Sequence, residues 1–510
     1  MPEPILNPRH SRPLDLHVWS DHPRVELFLD QLQARLADGV LDRLESKSNN
    51  RGTATRDVLK VLALDLFAAW REDPALSLGV PLSDGGYRPR SRYNAQKISK
   101  KAIGLIHGLR DANLLDWANH SHSRTNPRAN RTTRIRASAE LQQMFTAAGL
   151  EDGLLRFNLN REALVLRGTD NEDPGQTRFD RRGDQRELAA RDLEYSDDEL
   201  PPFLATARRD LRAYNRLLNE SHIDIGSLDQ PFFERPDRDG RTARVAVHQG
   251  RHFVRRIFSR GRFDFNGRLY GGWWQLCPRD LRKYIRIDRQ PTAEIDFAGM
   301  HPRILAAEKG VALNEDPFSL NRLVAPEVNW ALQRKLVQAF VQTALNAADP
   351  KQAYSAFRYS FSRAFDLSLT RALFDALHRE FVETYPGLED SLFSDQGIRL
   401  MGLDGQIASS LVTSHVLFEM PILVVQNSFI VPIDNVKFLE DAMTQATQSV
   451  LGAPLVFRKD REITALHQLP QRGADGTAQD RSPALDHFAQ SFGVSAGYEQ
   501  RWQDWLAQQA

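Results

Sequence analysis

Arg262–Ala306 reads RFDFNGRLYGGWWQLCPRDLRKYIRIDRQPTAEIDFAGMHPRILA, a basic, aromatic approach segment followed by one acidic strand. Within it Ala293-Glu-Ile-Asp-Phe spaces Glu294 and Asp296 two residues apart. In an extended chain both carboxylates then leave the same face. Pro302–Ala307 has the composition of a helix and carries Arg303. Carboxylates at a strand end beside Arg and Lys suit metal-assisted phosphoryl transfer, with oxygen ligands for the ion and cations for the phosphates. The competing account is a surface strand with ordinary salt bridges.

Several anchors in this run arrive in a familiar order: Gly267-Arg268-Leu269, then Gln275-Leu276-Cys277-Pro278, then Arg279, Arg282 and Lys283, then Asp296 through Ala306. They resemble the palm of family A DNA polymerases and, more distantly, of single-subunit phage RNA polymerases, whose run is written roughly GRL…LQNIP…R.IR..F…DYSQIELR.LA. The resemblance implies an α+β fold: a palm-like antiparallel sheet with flanking helices. It implies that Asp296 holds a catalytic Mg²⁺ or Mn²⁺, with Glu294 as a second metal ligand. It also implies that Arg268 and Gln275 grip a primer-template, and that Arg282, Arg303 and Arg334 line the phosphate path. His301 falls where family A enzymes carry the glutamate that screens out ribose.

Two later motifs are similar but altered. The triphosphate-binding helix usually carries Arg and Lys separated by three residues, then Tyr-Gly. Here Arg334 is followed by Gln338, no Tyr-Gly occurs in Val337–Ala347, and Lys335 is the neighbouring cation available to supply the charge. The last palm motif is a hairpin with His-Asp at its turn; Ile422–Val431 is the matching segment, with Gln426-Asn427 there. Met401–Leu411 resembles the preceding helix and Val436–Ala446 the returning one. Asn427 takes the catalytic aspartate's place, and an amide offers a metal one carbonyl oxygen and no charge. Holding two ions about 3.5–4 Å apart then requires Glu294, Asp404 or Asp434 as the second carboxylate.

The 510 residues suffice for two or three domains, and 41% hydrophobic with 26% charged residues is a globular composition. A lone cysteine, Cys277, excludes an internal disulfide framework and a cysteine-based zinc site. It suits a reducing, cytoplasmic setting. Met1–Val18 has no signal-peptide core, and the apolar stretch Leu411–Pro432 is interrupted by polar residues, so no membrane partner is expected. No GxxxxGK[ST] loop appears, which argues against an ATPase.

Net charge is +1, but it is unevenly placed. Tyr87–Ser138 holds twelve basic residues against Asp111 and Asp116, and Arg251–Arg289 holds eleven against three acids. Two basic blocks in a nearly neutral chain point to nucleic-acid surfaces. In the first, helical patterns at Arg24–Ala37, Arg56–Arg71 and Asn94–Asn113 precede strands at Leu114–Ala118 and Arg131–Ala137 around a basic tip. The order resembles a winged helix of plasmid replication initiators and transcription factors. That resemblance puts Lys97, Lys100, Lys101 and Arg110 on a recognition helix and Arg124, Arg128 and Arg131 on the wing.

The expected division is an N-terminal helical extension (1–50), a winged-helix-like DNA-binding domain (51–150), a charged linker with a helical thumb-like region (151–250), a palm and fingers (251–460), and a polar tail ending in a short helix (461–510). The expected function is a DNA-binding, polymerase-like replication protein performing metal-dependent nucleotidyl transfer at Asp296. Its partners are duplex DNA, primer-template and, if active, nucleoside triphosphates. The alternative is a catalytically degenerate palm serving as a DNA-binding initiator or regulator. A nuclease using Glu294 and Asp296 lacks a third spaced carboxylate.

Overall fold

The computed structural model describes residue 6 and residues 10–46, 53–121, 132–168, 191–236, 242–248, 250, 252–361, 364–365, 367–459 and 493–509. The mixed helix and sheet content makes the protein α+β, and its apolar side chains form two separate cores. Among the described residues, no helix is long and apolar enough to cross a membrane.

The first core runs from Val18 to Leu155. It is built on α1 (Pro23–Ala34), α2 (Thr55–Glu72), β1 (Ser77–Val80), α3 (Lys101–Asp111), β2 (Leu115–Ala118) and β3 (Thr133–Ala137). Thr133, Ile135 and Ala137 alternate inward, as a half-buried strand requires. The sheet order is Ser11–Pro13, β1, β3, β2, parallel at the first pair and antiparallel thereafter. The described residues among 1–50 are therefore no separate extension: Val18, Val25, Phe28 and Leu32 are core residues, and Arg12 hydrogen-bonds buried Asp65 of α2.

The helix expected over Asn94–Asn113 begins only at Lys101. Asn94 explains why: its Oδ1 accepts from Ile98 N at 2.9 Å, and its Nδ2 donates to Ile98 O at 2.7 Å and Arg88 O at 3.1 Å. Such local bonds compete with helical ones. Lys97 completes the turn at φ +54°.

The second core runs from Ala163 to Leu455, so the expected boundary at 250 does not divide it. Leu164–Gly168 pairs in parallel with Arg255–Ser259, and Phe232–Pro236 pairs antiparallel with Thr242–Ala246. In chain order the principal elements are α4 (Pro202–Glu220), β4 (Ile223–Ile225), β5 (Arg255–Ser259), β6 (Arg262–Tyr270), β7 (Ile285–Ile287) and β8 (Gln290–Phe297). Next come α5 (Met300–Lys309), α6 (Trp330–Asn346), α7 (Pro350–Phe361), α8 (Gly397–Leu417), β9 (Leu423–Val425), β10 (Ser428–Pro432), α9 (Val436–Leu451) and β11 (Phe457–Lys459). Of the region expected to hold the charged linker (151–250), residues 169–190 lie outside the described residues, and Arg191–Asp192 forms a short strand.

The antiparallel sheet β9-β10-β8-β7-β4 lies at the centre, with β11 on the second edge of β8 beyond β7. Along β8, Ala293, Ile295 and Phe297 are buried while Glu294 and Asp296 on the other face are partly exposed. That alternation separates the core from the site. Helix α8 lies directly on β6: a Cβ at Gly402 would overlap Asp264 O, and one at Gly405 would overlap Gly267 O. α10 (Ala496–Gln509) returns to β4, where Arg501 pairs with Asp224 and His222 meets the rings of Tyr498, Trp502 and Trp505.

Candidate functional site

The site is assembled by the pairing of β8 with the β9–β10 hairpin. Asp296 lies opposite Ser428. At the turn Asn427 is tied to β8 twice: Phe297 N donates to Asn427 O at 3.1 Å, and Asn427 Nδ2 donates to Phe297 O at 3.0 Å. Gln426 holds the turn at φ +57°, a region that side-chain-bearing residues seldom occupy. A cleft of about 1880 Å³ opens beside this junction. Arg268, Asp296, His301, Arg334, Gln338, Gln426 and Asn427 all line it. Residues from four sequence segments thus converge on one space.

The floor is shaped by the connection from β8 into α5. Gly299 sits at φ +61°, where a Cβ would overlap Pro317, and turns the chain sharply. Arg303 is then used internally, donating to Ala298 O at 2.7 Å and to Glu315 O. On α6, Arg334 pairs with Asp316. Lys335 is exposed on the same helix but does not line the cleft, whereas Gln338 does. The missing lysine charge is therefore not restored from that side.

Glu294 is committed elsewhere. Arg282 donates to both its oxygens at 2.9 Å, and Ser428 Oγ donates to Oε1. Gln275 is also spoken for: its Nε2 donates to Leu269 O and Val424 O, and its Oε1 accepts from Gly271 N. It fastens β6 to the hairpin. Arg268 bonds Asp404, whose side chain is 1% exposed, and donates to His301 Nε2 at 3.2 Å. Burial, reinforced by the Arg268 charge, pushes the His301 imidazole down to about 4, so it is neutral near pH 7 and its bare Nε2 accepts. Burial pushes the Asp404 carboxyl up, and Arg268 opposes that rise.

Asp296 keeps a 27% exposed side chain and, among the described residues, a single long polar contact, 3.4 Å, with Arg458 Nη2. The expected Mg²⁺ or Mn²⁺ does not fit these donors. No group of three His, Cys, Asp or Glu side chains able to hold an ion occurs among the described residues. Of the possible second carboxylates, Glu294 is salt-bridged, Asp404 is buried against Arg268, and neither it nor Asp434 lines the cleft. At this junction Asp296 and the neutral amide of Asn427 supply too few anionic oxygens for a two-metal clamp.

The sequence reading missed several lining residues. Lys351 and Arg458 join Arg268, Arg279 and Arg334 as cations there, against Asp296 and Asp349. Asp349 spends its Oδ1 on Lys351 N and Gln352 N at the start of α7. Tyr359 lines the same space at 88% exposure. The signal for Arg458 was the short run Val456-Phe-Arg-Lys459 after a helix, two apolar and two basic residues, too short to read as a strand.

In the first core, Lys97 and Lys100 are exposed ahead of α3, and Arg110 is exposed near its end, bonded to Asp111 and lying over Trp117. Lys101 must be removed from the DNA-facing set: it is 5% exposed, with Nζ held by Glu45 at 3.0 Å and Thr53 O at 3.1 Å. Arg124, Arg128 and Arg131 lie outside the described residues.

No family model matches the chain, and neither does any curated protein. Among solved structures it is similar to the POL domain of Pol1 from M. smegmatis in complex with DNA primer-template and dNTP, at 12% identity and a TM-score of 0.26, covering 86% of this chain and 68% of that one. So slight a likeness carries neither fold nor function, which rest on the chain's own geometry.

Proposed function

We propose that the protein is a DNA-binding, polymerase-like replication protein whose palm-like cleft holds nucleic acid and whose first core contacts duplex DNA in the manner of a winged helix. The observation that carries this reading is the convergence of Arg268, Asp296 and the Gln426-Asn427 turn in one cleft with Arg279, Lys351 and Arg458. Cations in excess of carboxylates attract phosphates. The winged-helix component is supported by the order α1, α2, β1, α3, β2, β3 and by a sheet in which β3 lies between β1 and β2. With Asp349 capping the start of α7 and Asn427 neutral beside Asp296, the cleft serves as a binding platform, in a replication initiator or regulator.

The second reading is a template-directed nucleotidyltransferase, acting on nucleoside triphosphates in the cytoplasm. It is favoured by Asp296, which stays accessible with one long polar contact among the described residues. Primer-extension assays on wild type, Asp296→Ala and Asn427→Asp, with Mg²⁺ and with Mn²⁺, separate the two. The platform reading expects salt-sensitive DNA binding by all three proteins and no incorporation. Incorporation that depends on Asp296, or that Asn427→Asp accelerates, establishes the enzyme.

A further inference from the structure

Helix α4 carries a second concentration of positive charge, remote in sequence from the palm motifs. Arg208, Arg209, Arg212 and Arg216 follow one another at helical spacing and line a pocket of about 260 Å³ with Asp197, Leu200 and Ala205. The opposite face of the helix is apolar, with Leu204, Leu211, Tyr214 and Leu218 in the second core. Arginines four apart on a helix repel one another weakly, so a neighbouring anion stabilises the stripe.

The anions present fall short. Glu162, almost fully buried, takes Arg208 Nε at 3.0 Å and also receives Arg208 Nη2; Arg92 Nη1 lies at 3.6 Å and Arg212 Nη2 at 4.0 Å. Asp197 takes Arg208 Nη1 at 3.0 Å and Arg92 Nη2 at 2.9 Å. Two carboxylates thus serve Arg92, Arg208 and Arg212. Arg209 is 77% exposed and reaches only Asp210, and exposed Arg216 makes no hydrogen bond or ion pair among the described residues. Arg212 Nε is buried and makes no hydrogen bond among the described residues.

We infer that this arginine pocket on α4 binds backbone phosphates of nucleic acid, as a site separate from the cleft. Arg92 belongs to the segment leading into α3, and Tyr93 Oη donates to Leu193 O nearby. The pocket therefore lies where the first core's basic segment meets the second core, in position to hold the strand between them. Guanidinium forks match phosphate oxygens bidentately, and the charge of Arg216, with those of exposed Arg209 and of Arg212, which is 4.0 Å from a shared Glu162, is what a phosphodiester would neutralise. This inference deepens the proposed function and rests on it for the identity of the anion.

The test is fluorescence anisotropy of the full chain with a fluorescein-labelled DNA duplex bearing a single-stranded overhang, over a salt series. Arg209→Ala/Arg212→Ala/Arg216→Ala is expected to weaken binding about tenfold and to reduce the slope of log K against log salt by about 2 to 3, near 0.9 per lost phosphate contact. Arg216→Ala alone, exposed and unpartnered, covers the case in which the triple variant misfolds, and should reduce the slope by about 0.9. If wild type binds DNA and Lys97→Ala/Lys100→Ala weakens it, while the arginine variants keep affinity and slope, the pocket inference is overturned and the proposed function stands. If wild type binds no DNA, the proposed function falls, and thermal shifts with sodium tripolyphosphate decide the pocket. Stabilisation of wild type that the variants lose supports an anion site; no stabilisation overturns it.

Discussion

Arg268 shows how one side chain changes meaning between sequence and structure. In the sequence it is a free cation facing a primer-template. In the fold it is clamped by Asp404, which is buried, and it donates to a neutral His301. A buried pair adds little net stability, but removing one partner strands the other charge in a poor solvent, at about 3–5 kcal/mol. Arg268→Leu is therefore expected to lower stability by about that amount, because Asp404 is the more deeply buried partner. Asp404→Leu should cost less, since Arg268 retains partial exposure and the His301 contact. The double variant should cost less than the sum of the singles, measured by urea denaturation. Strict additivity would show that Asp404 is not held by Arg268.

Among the elements, β8 and α8 decide where the site lies. The β8 pattern sends its apolar residues inward and its two acids outward, and the hairpin then delivers Asn427 beside Asp296. Helix α8 approaches β6 through Gly402 and Gly405, close enough to carry Asp404 to Arg268. Gly405→Ala forces the helix off the Gly267 carbonyl, and overpacking of this kind costs about 1–3 kcal/mol. Gly452→Ala, a glycine with open space around it at a helix end, separates packing from conformation: its φ of +73° predicts a smaller loss, from backbone strain alone. Equal losses in the two variants would mean that close approach is not what Gly405 supplies.

Across the whole molecule, burial of histidine sets the acid limit. Burial depresses His222 and His252 to about 3 and His301 and His415 to about 4. In the unfolded chain each takes up its proton near 6.5. Between those values the unfolded state binds more protons, so the stability present above pH 6.5 is lost as pH falls towards 4. The loss is on the order of a few kcal/mol per histidine at about 1.4 kcal/mol per pH unit. Burial raises Asp224, Asp288 and Asp404, which act in the opposite sense and soften the fall. Thermal melts should show a Tm several degrees lower at pH 5 than at pH 7, with the slope shallower in His252→Asn. A Tm unchanged across that interval would show that these histidines are solvated. The same burial explains α10: its Tyr498, Trp502 and Trp505 enclose His222 against β4, a role invisible in a tail that reads as polar.

Periodicity and local chemistry determined much of this protein in advance. The alternation of Ala293–Phe297, the helix bearing Arg303, the α9 segment and the helix–strand order of the first core are legible from near neighbours, because spacing alone directs side chains to a face. The helix bearing Arg334 and the α8 segment were expected only through the resemblance to polymerase palms. The convergence of Arg268, Asp296, Arg334 and Asn427 followed from recognising motifs in order. Only the tertiary structure decided which charges are available. Glu294 is claimed by Arg282 and Ser428, Lys101 by Glu45, Arg334 by Asp316, and Arg12 by Asp65. Each partner lies from a dozen to more than a hundred residues away, and no local pattern encodes such a distance. An ionisable side chain becomes a ligand or a strut according to what packing brings within about 4 Å of it, since Coulomb attraction in a half-buried setting exceeds its value in water severalfold.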